Sequence, residues 1–148
     1  MTEEIYFCAL LDSCADDKTY VKVVETANKA LFVKFCLFDN DSKSEKYIKI
    51  TPLEFLWVAK SMKNERKDIL EGRFQFQNIH KLKEDTVYRS IVVDLNASDK
   101  MEIEVFKYKN GVSEPSWIRF YLNNECKINL LKYISNITKV LFCKNCFN

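Results

Sequence analysis

Two glycines and a single histidine in 148 residues exclude more function classes than any residue present identifies. With only Gly72 and Gly111, no GxGxxG dinucleotide fingerprint, P-loop or GxSxG nucleophile elbow can be spelled. His80 alone cannot build a histidine-rich metal site, and any Ser–His–Asp triad or Cys–His dyad would have to pass through it. It closes a strand-like run in NIHKLK, where it reads as a partly exposed strand-end side chain. Carboxylates such as Asp16, Asp17, Glu102 and Glu104 show no metal or acid–base spacing, and acidic pairs in loops are ordinarily solvated turns. The expectation is a protein that is not an enzyme and carries no cofactor or metal.

Long apolar runs are also missing. None approaches the roughly 20 residues needed to span a bilayer. The start, MTEEIYF, is acidic and lacks the apolar stretch and cleavage site of a signal peptide. An intracellular protein, nuclear or cytoplasmic, is expected, with no membrane partner and with its six cysteines reduced. Cys143-Lys-Asn-Cys146 is a lone CxxC; a zinc site needs a second ligand pair, and a redox CxxC opens a helix after a strand instead of following one. Ordinary half-buried thiols are the simpler reading, and the sequons at Asn96 and Asn136 carry no weight in a cytosolic chain.

What is present is a globular composition: 47% hydrophobic, 14% aromatic and 30% charged residues. Disordered and collagenous classes are excluded. One domain is the expectation at this length, burying roughly 70% of the unfolded chain's surface. Net charge is +2, too small to identify a nucleic-acid binder. Residues 1–72 hold 11 Lys and Arg against 13 Asp and Glu, and residues 73–148 hold 12 against 8. The second half is the better candidate for an anionic partner. Heavy use of Lys, Asn and Ile fits an AT-rich genome, such as that of a parasite or a large DNA virus.

Alternation and β-branched enrichment mark strands at 5–11, 19–26, 30–38 and 45–50. Thr51-Pro52-Leu53-Glu54 is then a capping box with Pro at the first helical position. The helix runs through Leu56, Trp57, Ala59 and Met62 to near Leu70, stopped by Gly72. The order repeats with strands at 73–82, 86–95, 101–109 and 117–122, and a turn at Asn110-Gly111. A second helix follows, capped by Asn123 or Asn124, with Leu130, Ile134, Ile137 and Leu141 as its stripe and Ile128 and Leu131 widening it. Shifting by 72 places Thr51 on Asn123, Ile48 on Phe120, Ile50 on Leu122 and Met62 on Ile134. The fold expected is α+β: two ββββα units with curved antiparallel sheets, 1–72 and 73–148, forming a single compact domain. Packed helix to helix, they bury Trp57, Met62, Leu130, Ile134 and Leu141 in a shared core and leave the outer sheet faces in solvent.

This organisation resembles the Whirly-like single-stranded-DNA-binding superfamily, which includes plant Whirly proteins and the coactivator positive cofactor four. The resemblance is closest over residues 101–141, where a strand pair, the turn at Asn110-Gly111, a Pro, the strand WIRFYL and the helix KINLLKYISNI follow in order. The glycine- and lysine-rich turn of the family has only Lys107-Tyr108-Lys109-Asn110-Gly111 as counterpart, and Trp117-Ile118-Arg119 replaces its Lys-Gly-Ile signature. Members assemble as homodimers or larger, so the resemblance implies one chain carrying a pseudo-dimer, with a homo-oligomer as a further state. It implies binding of single-stranded DNA or RNA on sheet faces, in replication or transcription.

Such binding asks for cations on phosphates and flat side chains under bases. Strand alternation supplies Tyr20 and Lys22, Tyr47 and Lys49, Arg73 and Gln75, and Trp117, Arg119 and Tyr121, with Arg89, Lys107 and Lys109 adding charge. The rival is a protein–protein interaction module whose exposed aromatics dock a partner protein without nucleic acid, which suits the near-neutral charge.

Overall fold

The computed structural model describes residues 3–12, 17–63, 73–82, 85–97, 100–109 and 116–142, with side chains in the second half at Val93, 101–105 and 118–142. The elements are β1 (Glu4–Asp12), β2 (Asp17–Glu25), β3 (Leu31–Asp39), β4 (Ser44–Ile50), α1 (Pro52–Lys63), β5 (Arg73–Leu82), β6 (Asp85–Ala97), β7 (Lys100–Lys109), β8 (Ser116–Leu122) and α2 (Asn124–Phe142). They form two four-stranded antiparallel sheets, β1-β2-β3-β4 and β5-β6-β7-β8, each followed by a helix. This is the expected α+β pair of ββββα units.

The strands form because apolar residues recur every second position. Val21 and Val23 on β2, Val33 and Phe35 on β3, and Ile48 and Ile50 on β4 are all buried, as are Met101, Ile103 and Val105 on β7 and Phe120 and Leu122 on β8. With so little glycine, two positive-φ positions fall to lysines: Lys29 at φ 60° and Lys43 at φ 57°. Lys29 belongs to the β2–β3 turn, where its N–H donates to the Thr26 carbonyl at 2.9 Å and the Thr26 N–H donates to the Ala30 carbonyl at 2.9 Å. A left-handed non-glycine residue costs roughly 1–2 kcal/mol.

Both helix starts follow from side-chain caps. Thr51 N–H donates to Glu54 Oε1 at 2.8 Å, and Glu54 N–H donates to Thr51 Oγ1 at 3.2 Å, a reciprocal capping box. At the equivalent place Asn123, not Asn124, is the cap, its Oδ1 accepting from the Cys126 N–H at 2.8 Å. The shift by 72 therefore aligns two N-caps, and with them the buried pairs Ile48/Phe120 and Ile50/Leu122.

The helices meet, but each also crosses to the other unit's sheet. α2 packs on β1 and β2 as well as β7 and β8, while α1 reaches β5 and β6 as well as β3. Asn129 Nδ2 donates to the Leu11 carbonyl at 2.7 Å, and the Phe7 and Tyr133 rings meet edge-on at 5.8 Å. One buried cluster accordingly contains Phe35, Ile48 and Phe55 together with Ile103, Leu130 and Ile137. Of the expected core, Leu130, Ile134 and Leu141 are buried, and Trp57 and Met62 pack partly buried against them. One correction follows. Ile128 and Leu131 do not widen the stripe of α2; they are 57% and 42% exposed, because the crossing sheet reaches only the narrow face Cys126–Leu130–Ile134–Ile137–Leu141. On α1, Leu56 is exposed and the inward positions are Glu54, Phe55, Val58, Ala59 and Ser61.

Gly72, Asn110, Gly111, Cys14, Cys143 and Cys146 lie outside the described residues, as does the expected extension of the first helix to Leu70. His80 is a β5 position whose side chain is likewise outside them.

Candidate nucleic-acid interface

The outer face of the first sheet is ordered in rows by strand register. Cys8 pairs with Lys22, Lys22 with Lys34, and Lys34 with Lys49, so three lysines stand in line across β2, β3 and β4. In the adjacent row Leu10 pairs with Tyr20, Tyr20 with Cys36, and Cys36 with Tyr47. On the other side of the lysines, Val24 pairs with Phe32. A cationic row thus runs between two rows that carry aromatic rings. Neighbouring strands lie about 4.8 Å apart, a spacing at which like charges repel unless an anion or π-face compensates.

Both kinds of compensation are present. The Lys34 ammonium sits 4.2 Å from the centre of the Tyr47 ring, and Lys49 lies 5.9 Å from the rings of Tyr47 and Phe32. Lys22 lies 5.9 Å from the Tyr20 ring. Glu3, just ahead of β1, places its carboxylate 2.6 Å from Lys49 Nζ and 3.3 Å from Lys34 Nζ, and Glu45 lies 3.8 Å from Lys34. The Lys49 hydrogen bond, aided by Lys34 and opposed by burial, holds the Glu3 carboxyl below its ordinary value. Tyr47 presents an exposed ring to solvent. Cys36, buried between the two tyrosines, has its thiol pushed up to about 12 by burial and by Glu45, so it is neither thiolate nor nucleophile near neutral pH.

The second sheet's outer face is different. Register pairs Glu102 with Tyr121 and Glu104 with Arg119, and Arg119 Nε lies 3.5 Å and 3.6 Å from the two carboxylates. Arg73 pairs with Asp94, which pairs with Glu102. Described carboxylates therefore surround the arginine that was expected to meet phosphate.

Tyr20, Lys22, Tyr47 and Lys49 come together on one face, as expected. On the other sheet, Arg73 and Tyr121 share the row of Asp94 and Glu102, Gln75 and Arg119 share that of Glu104, and Trp117 falls in the next row, opposite Phe106. Arg89, Lys107 and Lys109 do not join them: Arg89 pairs with Lys107, and all three fall an even number of positions from the buried Val93, Ile103 or Val105. The lysine row lies in the half with the net negative count, not in the more basic half that the charge counts favour for an anionic partner. Several of the described carboxylates in the first half lie elsewhere: Asp12 and Glu54 are buried, and Asp39 and Asp41 sit at the β3–β4 turn. Three participants escaped the reading of the sequence: Lys34, Phe32 and Glu3. Lys34 is the lone charge in LFVKFCLF, a visible signal, but its place between Lys22 and Lys49 follows only from register.

Among the described residues, no group of three or more His, Cys, Asp or Glu side chains is placed to hold a metal ion, and no helix is long and apolar enough to cross a membrane.

Two ββββα units, joined through crossing helices within one chain, define the class as an α+β pseudo-dimer with two outward sheet faces. In that fold the chain is similar to the crystal structure of WHY1 from Arabidopsis thaliana, with a TM-score of 0.53 and 10% sequence identity over 91% of each chain. The likeness is one of fold. No protein-family model and no curated protein matches the sequence.

Proposed function

We propose that the chain binds single-stranded nucleic acid, without catalysis, along the outer face of the first sheet. The observation that carries this reading is the Lys22–Lys34–Lys49 row set between Tyr20 and Tyr47 on one side and Phe32 on the other. Ammonium groups neutralise the phosphates of a single strand, and an exposed ring such as Tyr47 offers a base a stacking platform at roughly 1–3 kcal/mol. The likeness in fold to WHY1 supports the reading. A salt titration of oligo-dT affinity tests it. Three phosphate contacts set an upper limit of about −2 on the log–log slope, from roughly −0.7 per phosphate on single strands. Absence of binding at low salt sinks the reading. Native mass with and without oligo-dT reports stoichiometry and any homo-oligomer in one measurement.

A second reading, a protein-interaction module, has its own observation: Leu53 and Leu56 on α1, and Ile128 and Leu131 on α2, are exposed. It takes over if oligonucleotides of neither DNA nor RNA bind.

A further inference from the structure

We propose that Lys34 and Lys49 form a phosphate subsite and that Glu3 occupies it in the free protein, as an internal competitor that an incoming strand displaces. The inference rests on the nucleic-acid reading above and adds to it the subsite and its regulator.

Three observations converge. First, the Glu3 carboxylate touches both ammonium groups, at 2.6 Å and 3.3 Å through separate oxygens, the kind of charge-assisted contact that ammonium groups make to phosphate. Second, a cross-strand row of like charges is unfavourable by itself and favours an anion beside it; Glu3 bridges Lys34 and Lys49 now, with Glu45 at 3.8 Å touching Lys34 only, and a phosphate can replace Glu3 in exchange. Third, sheet pairing begins at Glu4, opposite Glu25, so the ladder does not fix Glu3 in place. Its side chain retains 28% of its exposure, which leaves solvent and ligand a path to the pair. The depressed Glu3 carboxyl keeps the competitor ionised at neutral pH.

Displacement has a cost that depends on charge, so it appears in both affinity and salt dependence. In the wild type a strand exchanges one intramolecular anion for another, and fewer counterions are released than three lysines would give. Removing the charge of Glu3 frees the subsite.

The test is oligo-dT binding by the full chain carrying Glu3→Gln, across a salt series. The expected result is affinity about three- to tenfold tighter at low ionic strength, with a salt slope steeper by roughly 0.7 or more. Glu4→Gln makes the same change of net charge one residue away and is expected to leave affinity nearly unchanged. In a Lys49→Gln background the gain from Glu3→Gln should largely vanish. If Glu3→Gln binds like the wild type while Lys34→Gln and Lys49→Gln weaken binding, the competitor is refuted and the proposed face stands. If Glu4→Gln tightens binding equally, or the gain survives Lys49→Gln, the effect is net charge and the subsite is refuted. If Lys22→Gln, Lys34→Gln and Lys49→Gln all bind as the wild type does, the face itself falls and the competitor with it.

Discussion

The side-chain amide of Asn123 donates to the carboxylate of Asp12 at 2.5 Å, tying the start of α2 to the end of β1 in the other unit. The same Asn123 caps α2 through its Oδ1, so one residue serves both the helix and the junction. Asn123→Ala should lower unfolding free energy by about 2–4 kcal/mol, the sum of a lost cap and a partner removed from a buried carboxylate. Asn123→Asp keeps the cap but sets a second carboxylate against Asp12. Its loss should be largest near neutral pH and shrink on acidification, as urea unfolding at several pH values would show. Equal losses for the two variants at every pH would contradict this.

The other helix start rests on the Thr51–Glu54 box, with Glu54 fully buried. Thr51→Ala removes one cap bond and should cost about 1 kcal/mol in thermal or urea unfolding. Glu54→Ala should cost more, because it leaves the Thr51 N–H without its acceptor and opens space in the core. If Glu54→Ala is the milder of the two, the box is not what fixes the helix start.

Lys29 and Lys43 hold left-handed backbone where glycine is favoured. Replacing either by glycine removes a steric penalty of roughly 1–2 kcal/mol and restores part of it as unfolded-chain entropy. A net gain of about 0.5–1 kcal/mol per site is expected, additive between them because they lie in separate turns. Lys29→Ala and Lys43→Ala, which keep the penalty, should show no such gain.

Element order, both helix starts and the buried faces of β2, β4, β7 and β8 were legible in the chain, because period-two alternation and capping side chains are local signals. Register was not. Tyr20, Lys22, Tyr47 and Lys49 could be read as outward residues, but their gathering around Lys34 depends on pairings among three strands. The outward turn of Ile128 and Leu131 was hidden for a related reason: both sit at helical spacing from the core stripe, and only the crossing of α2 onto β1 and β2 decides how wide a stripe is covered. Charge counts by half do not show where carboxylates go. Glu54 is a buried cap, whereas Glu102 and Glu104 stand in the face that Arg119 occupies.

Thiol chemistry separates buried from exposed cysteines. Burial, with a smaller contribution from Glu45, pushes the Cys36 thiol up to about 12, and burial pushes Cys126 to about 11. Since the thiolate is the nucleophile, both should resist alkylation at pH 8 in the folded protein while the exposed Cys8 reacts. Peptide mapping after timed iodoacetamide labelling reads each site separately. Labelling of Cys36 at the rate of Cys8 would mean that the first sheet opens on that timescale.

The two outer faces make opposite predictions for oligonucleotide binding. Arg119 is held between Glu102 and Glu104, so a phosphate arriving there meets two carboxylates and one guanidinium. Arg119→Gln should therefore change oligo-dT affinity by less than about twofold, a difference below roughly 0.5 kcal/mol. On the first sheet, Lys22→Gln should weaken binding and reduce the salt slope by roughly 0.7, the contribution of one phosphate. Tyr47→Ala should weaken binding by about 1–3 kcal/mol if a base stacks on its ring, with little change in slope, because stacking releases no counterions. A slope that drops with Tyr47→Ala as it does with Lys22→Gln would show that the ring acts by positioning Lys34, whose ammonium lies 4.2 Å from it, instead of by holding a base. A large loss on Arg119→Gln, with the lysine variants silent, would move the interface to the second sheet.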